Sequence, residues 1–164
     1  MISISGLNYA LTLVTALGCG IIAGVFFGFS TFIMKALARL PPEEGIAAMQ
    51  SINVLAVNSW FLAAFLGTAA LCVVSMVAAA LQLNKPFALF LLLAGLAYLV
   101  GCFLVTVLFN VPMNNALAGL PLAASDRAAR WTAYLANWTT WNHVRTAASL
   151  VAAALFTIGL SRIA

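Results

Sequence analysis

Apolar and polar positions divide the chain into four long apolar runs joined by short polar segments. The runs cover about residues 7–34, 57–81, 87–109 and 139–161. Each is close to the roughly 20 residues that an α-helix needs to cross a bilayer core of about 30 Å. Short connections between consecutive apolar helices favour antiparallel neighbours. The pattern therefore predicts an all-α, integral membrane four-helix bundle with up-down topology, in which residues 1–164 form a single transmembrane domain.

The composition supports this class and excludes others. Hydrophobic residues make up 65% of the chain and charged residues 6%, whereas soluble domains are roughly one quarter charged. The net charge of +4 is spread thinly, which argues against a nucleic-acid-binding surface. Cys19, Cys72 and Cys102 lie in different apolar runs, so we expect small buried residues and neither a disulfide framework nor a zinc site.

Glycine and proline positions refine the first half of the chain. Two prolines followed by Glu43 and Glu44 predict the start of a short interfacial helix before span two, because acidic residues suit a helix N-terminus. Glycines that recur every four residues in span one predict a flat face for close packing against another helix, at Gly20, Gly24 and Gly28.

The up-down topology gathers most polar side chains at one end of the bundle. The end of span one, the start of span two, the end of span three and the start of span four share one membrane side. These places hold Ser30, Thr31, Asn53, Asn58, Asn110, Asn114, Asn115, Asn142, His143 and Arg145. Basic residues flank this end at Lys35, Arg39, Arg127 and Arg130, against Lys85 and Arg162 at the other. By the positive-inside rule, the polar end is expected in the cytoplasm.

The segment leading into span four carries the densest polar pattern. At about 100° per residue, one stripe contains Trp131, Tyr134, Trp138, Trp141 and Arg145, and an adjacent arc contains Thr139, Asn142, His143, Thr146 and Ser149. An interfacial anchor explains the aromatic residues, but not a polar arc that extends into the span. Intramembrane polar groups usually face the bundle interior, so the pattern favours a functional pocket. His143 and Arg145 point roughly 160° apart, with Asn142 between them.

Asn110 and Asn114 lie on either side of Pro112 at the end of span three. The proline predicts that the regular helix stops or kinks there, because it has no N–H to donate and restricts the preceding residue. One of the two amides is expected to bind backbone groups that the proline leaves free. The pair is also a candidate for binding a polar ligand across the bundle from His143.

Four segments occur in order over nearly the whole chain: AGVFFGFSTFIMKAL, AMQSINVLAVNSWF, FNVPMNNALAGLP and WTAYLANWTTWNHVRTAASL. Together they resemble the anthrone oxygenase-like integral membrane family, which has many bacterial members. The resemblance implies a four-span bundle and, from the few fungal members with assigned chemistry, oxidation of an anthrone to an anthraquinone by O2 without a recognised metal or flavin. The family-like positions are Asn110, Pro112, Asn114, Trp138, Asn142, His143 and Arg145.

The residues suit that chemistry. Removal of an acidic anthrone C–H gives an electron-rich phenolate that can pass an electron to O2, so the site needs a base, an oxyanion stabiliser and an apolar slot. Histidine exchanges a proton near neutral pH, which makes His143 the candidate general base. Arg145 with Asn142, and Asn110 or Asn114, are candidates for stabilising the oxyanion.

Substrate binding is expected to involve stacking on Trp138 and Trp141 and polar contacts from Asn110, Asn114 and Asn58. This hypothesis requires His143, Asn142 and Asn114 to line one lipid-accessible cavity. No cofactor or metal is expected, with O2 as the co-substrate, because a lone histidine supplies one strong ligand and methionines would have to supply the rest.

A non-enzymatic function is the alternative. In it, the polar end binds a lipid headgroup, a quinone headgroup or a partner subunit. Membrane lipids and a hydrophobic small molecule are the expected partners, no nucleic acid is expected, and a homo-oligomer remains open. A transporter is disfavoured, because no acidic residue lies inside a span and no inverted repeat is visible. The expected location is the inner membrane of a bacterium.

Overall fold

The computed structural model describes residues 4–120 and 126–163, and these residues form five helices and no strand. Helix α1 runs from Ile4 to Leu37 and contains a π-helical turn at Phe29–Ile33. Helix α2 is Pro42–Val57, and helix α3 is Trp60–Ala80. Helix α4 is Ala88–Ala118, with π-helical segments at Ala97–Leu104 and Thr106–Asn110, and helix α5 is Arg127–Leu160.

Helices α1, α3, α4 and α5 are long and apolar enough to cross a membrane. Side-chain contacts define their directions. Asn8, near the start of α1, donates to Gln82, just past the end of α3, at 3.3 Å. Asn110, late in α4, donates to the backbone oxygen of Trp138, early in α5, at 3.2 Å. The helical membrane bundle predicted from the apolar runs is confirmed, and these neighbouring spans are antiparallel.

Two helices extend beyond the apolar runs at the polar end. Helix α4 continues to Ala118, although its apolar run ends near residue 109, and α5 begins at Arg127, well before residue 139. The extensions pack with α2 in a second hydrophobic core, distinct from the one inside the spans, that contains Met34, Leu37, Ile46, Met49, Leu117, Trp131, Tyr134 and Trp138. Burial against other helices, and not hydropathy alone, therefore sets where these helices begin and end. The predicted helix before span two is α2, and it closes this end of the bundle.

The glycine pattern in α1 does not mark a packing face, so that prediction is wrong. Gly20 and Gly24 are exposed, and no atom lies within 4 Å of the position that a Cβ would occupy. Gly28 is buried, but the side chains nearest its Cβ position, Phe32 and Ile33, belong to α1 itself. Close helix contacts occur instead at five glycines where a Cβ would collide with a neighbouring helix: Gly18 with Thr68, Gly45 with Trp131, Gly95 with Met76, Gly101 with Ala148, and Gly159 with Leu91. Regular spacing along one helix does not show which of its faces meets a neighbour.

Pro112 does not stop helix α4. The chain widens into a π-helical segment over Thr106–Asn110 and resumes α-helical geometry at Val111, with the proline in the first turn. The N–H of Val111 donates to the carbonyl oxygen of Thr106, five residues back. A proline cannot donate to the carbonyl four residues before it, so a wider turn keeps the helix continuous where a regular turn would lose a bond.

Candidate functional site

Asn142 links α5 to α1 inside the bundle. Its side chain is fully buried, and Nδ2 donates to the backbone oxygen of Phe26 and to Oγ of Ser30, both at 2.7 Å. Ser30 Oγ also lies 3.1 Å from Oγ1 of Thr146. The backbone oxygen of Phe26, which belongs to helix α1, therefore accepts a hydrogen bond from a side chain of helix α5. The amide is fixed, and its Oδ1 points to Arg145.

Arg145 is the only basic side chain among the described residues that is buried, with 3% of its surface exposed. Its Nη2 donates to Oδ1 of Asn142 at 2.6 Å, and Nη1 contacts Oγ1 of Thr106 at 3.4 Å. The guanidinium carbon lies 4.1 Å from the ring centre of Phe26 and 4.8 Å from that of Trp138. We call Phe26, Ser30, Thr106, Trp138, Asn142 and Arg145 the arginine cluster.

No carboxylate compensates the charge of this cluster. The chain has three acidic residues: Glu43 and Glu44 are exposed in the first turn of α2, and Asp126 pairs with Arg130 at 2.6 Å on the surface. Burial of a charged group costs several kcal/mol. Contact with an aromatic face returns roughly 0.5–2 kcal/mol, and a hydrogen bond to a charged group about 1.5–3 kcal/mol. The aromatic rings and Asn142 offset the desolvation cost, but the positive charge remains.

Two buried polar atoms in or beside the cluster have no partner. Nε of Arg145 is buried and has no hydrogen-bond partner, and the same holds for Oδ1 of Asn110, which lies next to the cluster. Buried polar atoms of this kind are uncommon, and each calls for an explanation. A donor on a buried cation is suited to an oxyanion, because a charge-assisted hydrogen bond there is strong in a low dielectric.

An aromatic column connects the arginine cluster to the polar end. The rings of Trp131 and Tyr134 stack at 5.6 Å, and those of Tyr134 and Trp138 at 6.3 Å. Oδ1 of Asn114 accepts hydrogen bonds from the Tyr134 hydroxyl at 2.9 Å and from Nε1 of Trp138 at 2.8 Å. Asn114 thereby fixes the orientation of both rings, which is a side-chain role and not the backbone cap expected for one of the two amides.

A cavity of about 220 Å³ adjoins this column between the end of α4 and the start of α5. Tyr134 forms part of its wall, Arg130 and Asn137 supply polar groups, and the remaining lining is apolar: Met113, Ala116, Leu117, Leu120 and Ala133. The cavity is smaller than the roughly 300–1,000 Å³ of most ligand pockets. Tyr134 separates the cavity from Trp138, and Trp138 in turn separates it from Arg145, which does not line the cavity.

Three of the residues assigned to the site from the sequence lie elsewhere. His143 is exposed on the outer face of α5, so the structure does not bring it together with Asn142 and Asn114 in one cavity. Trp141 is half-buried and stacks on Phe109, with ring centres 3.6 Å apart. Asn58 is exposed at the junction of α2 and α3, where its amide donates to the backbone oxygen of Val54 at 3.0 Å.

The structure does bring together Asn110, Asn114, Trp138, Asn142 and Arg145. Asn110 is fully buried and donates to the backbone oxygen of Trp138 at 3.2 Å. Sequence reasoning did not single out Phe26 and Thr106 as partners of Arg145. Thr106 carried a weak signal, since it lies one helical turn before Asn110, whereas nothing distinguishes Phe26 from other phenylalanines in span one.

The arrangement provides a buried positive charge, an oriented amide and a stack of aromatic rings. These groups have the chemistry that suits a planar, electron-rich anion, and the rings of Tyr134 and Trp138 stand between them and the cavity. Among the described residues, no group of three or more histidine, cysteine or acidic side chains is placed to hold a metal ion.

Comparison with known proteins gives one match. Residues 58–155, which are 98 of the 164 residues, match the family model described as Anthrone oxygenase. The matched part contains α3, α4 and most of α5, including Asn110, Asn142 and Arg145, whereas Phe26 and Ser30 of α1 lie before it. No curated protein and no solved structure matched the chain.

Proposed function

Because the chain belongs to the anthrone oxygenase family, we propose that it uses O2 to oxidise a lipid-soluble polycyclic phenolic substrate of the anthrone kind, without a bound metal or organic cofactor. The observation that carries the proposal is the guanidinium of Arg145. It is buried among helices that cross the membrane, no carboxylate accompanies it, and its Nε is free to donate. An uncompensated cation in this position favours a substrate that becomes anionic as it reacts.

The chemistry converts a CH2 group between two aromatic rings into a C=O group. Loss of one proton gives a phenolate whose charge rests on the oxygen across the central ring, and Arg145 stabilises that oxygen. The phenolate transfers an electron to O2, and the carbon combines with the superoxide formed. The peroxide anion formed takes up a proton to become a hydroperoxide. The hydroperoxide loses its remaining C–H hydrogen as the O–O bond breaks, so one oxygen atom of O2 enters the new C=O group and the other leaves as water.

We propose a proton acceptor other than His143, the base expected from the sequence. His143 is exposed on the outer face of α5, away from the arginine cluster, so in this proposal solvent water or hydroxide takes the proton. Asn142 has the role of orienting the guanidinium, since its Oδ1 accepts from Nη2. Trp138 and the stacked Tyr134 form the apolar slot, and Asn114 keeps both rings in place. Entry of a three-ring substrate requires the cavity of about 220 Å³ to widen and the rings of Tyr134 and Trp138 to move aside, because they separate it from Arg145.

Purified full-length protein in lipid nanodiscs, supplied with an anthrone under O2, tests the proposal. The wild type should form quinone faster than the spontaneous reaction, and isotopically labelled O2 should place one labelled atom in the new carbonyl group. Arg145→Met removes the charge at similar length and should reduce the enzymatic rate about 100-fold or more, as loss of an oxyanion donor does. His143→Ala, in the same turn of α5, is the control and should keep the wild-type rate.

Each other result has a definite meaning. A wild-type rate equal to the background contradicts the oxygenase proposal for this substrate class. If Arg145→Met is as active as wild type, the arginine cluster is not the site, and if His143→Ala is inactive, the exposed histidine is the base. Binding of the anthrone or of a quinone without turnover favours a non-enzymatic function, which is supported by the lack of a histidine or carboxylate in the arginine cluster.

We also propose that the protein resides in the inner membrane of a bacterium with its polar end in the cytoplasm. Support comes from the basic residues that flank this end, Lys35, Arg39, Arg127 and Arg130, since such residues concentrate in cytoplasmic segments. The substrate would then enter from the bilayer or from the cytoplasmic interface. Membrane lipids and a hydrophobic small molecule are the proposed partners.

A further inference from the structure

A second cavity, of about 440 Å³, lies at the end of the bundle opposite the polar end. Three parts of the chain surround it: the start of α1 with Asn8, the α3–α4 connection with Gln82 and Lys85, and the end of α5 with Arg162. The two basic residues are distant in sequence, and the antiparallel packing brings both to one cavity. It is independent of the arginine cluster, and nothing in the proposed function uses it.

The two charged side chains that line this cavity are both positive. The three acidic residues of the chain, Glu43, Glu44 and Asp126, belong to the opposite end. In the part of the chain that the structure describes, neither Lys85 nor Arg162 has an ion-pair partner, and both side chains are exposed. Among the described residues, the cavity therefore carries two positive side-chain charges and no negative one.

Its remaining lining combines oriented polar groups with apolar surface. The Asn8 amide donates to Gln82 Oε1 at 3.3 Å, and Gln82 Nε2 donates to the backbone oxygen of Ala78 at 3.1 Å. Phe87 and Ile163 contribute apolar walls. A ligand that matches this lining has a negatively charged oxygen-rich group and an apolar part.

We propose that this cavity binds the phosphate of an anionic membrane phospholipid, with Lys85 and Arg162 at the phosphate. Its position at one end of the spanning helices is the level of lipid headgroups, and basic pockets between membrane helices bind such headgroups. Free phosphate shares the charge but has no apolar part to use Phe87 and Ile163. The volume also exceeds what a single small anion fills, since a water molecule occupies only about 30 Å³ in the liquid.

Native mass spectrometry of the purified full-length protein tests the proposal. Phosphatidylglycerol and phosphatidylcholine with identical acyl chains are added separately, and the wild type should retain phosphatidylglycerol preferentially. The double variant Lys85→Gln/Arg162→Gln should bind it about 30-fold more weakly, because each basic residue near a membrane surface contributes roughly a fivefold effect. The matched control is Lys35→Gln/Arg39→Gln, which removes two basic residues at the other end and should bind like wild type.

Equal retention of the two lipids overturns the proposal, and so does unchanged binding by the Lys85→Gln/Arg162→Gln variant. Inorganic phosphate separates the two sources of the anion: if it binds alone as tightly as the lipid, the site is a phosphate site and the lipid assignment is wrong. The variant Lys85→Arg/Arg162→Lys exchanges the two side chains but keeps one positive charge at each position, so it tests whether charge alone is sufficient for binding. It should keep phosphatidylglycerol, and its failure to do so contradicts the proposed role of the two charges.

Discussion

Three polar residues in one turn of α5 differ in their burial. Asn142 and Arg145, three residues apart, are buried and bonded to each other at 2.6 Å, whereas His143 between them is exposed. A step of 100° per residue places positions i and i+3 on one face and turns position i+1 away. Because Asn142 and Arg145 face the interior, His143, the candidate general base, faces outward.

The hydrogen bond from Nε1 of Trp138 to Asn114 gives a test of what holds the aromatic column together. Trp138→Phe keeps an aromatic face near Arg145 but removes the Nε1 donor to Asn114. We expect the free energy of unfolding to fall by at least about 1 kcal/mol, from the lost hydrogen bond and the smaller ring. Unfolding in mixed detergent micelles measures it. Trp60→Phe is the control, because Trp60 is 90% exposed, and it should change stability by less than about 0.5 kcal/mol. Equal effects of the two substitutions would contradict a structural role for Nε1.

Helical geometry predicted part of the site. It correctly separated His143 from Arg145, because angles along one helix follow from the sequence. It grouped Asn142 with His143 in one arc, however, and the structure assigns Asn142 to the buried face with Trp138. The sequence has two neighbouring polar or aromatic stripes on this helix, and only the positions of α1 and α4 decide which faces inward. Phe26 was not predicted for the same reason.

At the level of elements, helix α4 departs from α-helical geometry where it meets the arginine cluster. Its two π-helical segments end at Asn110, and Thr106, which contacts Arg145, begins the second. A π-helical turn contains an extra residue, so every later side chain is rotated about the helix axis relative to its direction in a regular α-helix. Such turns are frequent at functional sites. The position of Asn110 against α5 therefore depends on a backbone irregularity that no periodicity in the sequence indicates.

Close packing of α4 on α5 gives a prediction for Gly101. A Cβ at this position would stand 2.5 Å from Cβ of Ala148, and neither short side chain can move aside, so the helices must separate. Gly101→Ala is expected to destabilise the bundle by about 1–3 kcal/mol, measured as a lower free energy of unfolding. Gly67→Ala is the matched control, because no atom lies within 4 Å of its Cβ position, and it should be neutral or stabilising. A neutral Gly101→Ala would show that the two helices are not packed this closely.

At the level of the whole molecule, the two ends differ in size and charge. One end contains α2, the second hydrophobic core and the cavity at Tyr134. The other consists of the short α3–α4 connection, the start of α1, the end of α5 and the basic cavity at Lys85. The composition and apolar runs predicted this polarity, since it follows from the order of spans. The packing of α2 against α5 in the second hydrophobic core could not be predicted from the composition or the apolar runs.

Single cysteines test the orientation of the molecule. The natural cysteines are buried, so a membrane-impermeant maleimide should leave them unlabelled. Ala38→Cys, after α1, should react in inverted vesicles but not in intact cells, and Asn84→Cys, after α3, should show the opposite pattern. Reversed labelling would place the polar end outside the cytoplasm. Labelling of both positions from one side would contradict the antiparallel arrangement of α1 and α3.

The arginine cluster joins the first and last membrane helices, with Phe26 and Asn142 separated by 116 positions. Helix α1 is synthesised first, so its groups are already in the bilayer when α5 leaves the ribosome. Helix α5 has the lowest mean hydropathy of the four spans, 1.4 against 2.2 to 2.6, and an arginine inside a span disfavours insertion by about 2.5–3.5 kcal/mol. Docking of Arg145 and Asn142 on α1 offsets that cost. Insertion of the last helix and assembly of the site are then a single event in the biogenesis of this protein.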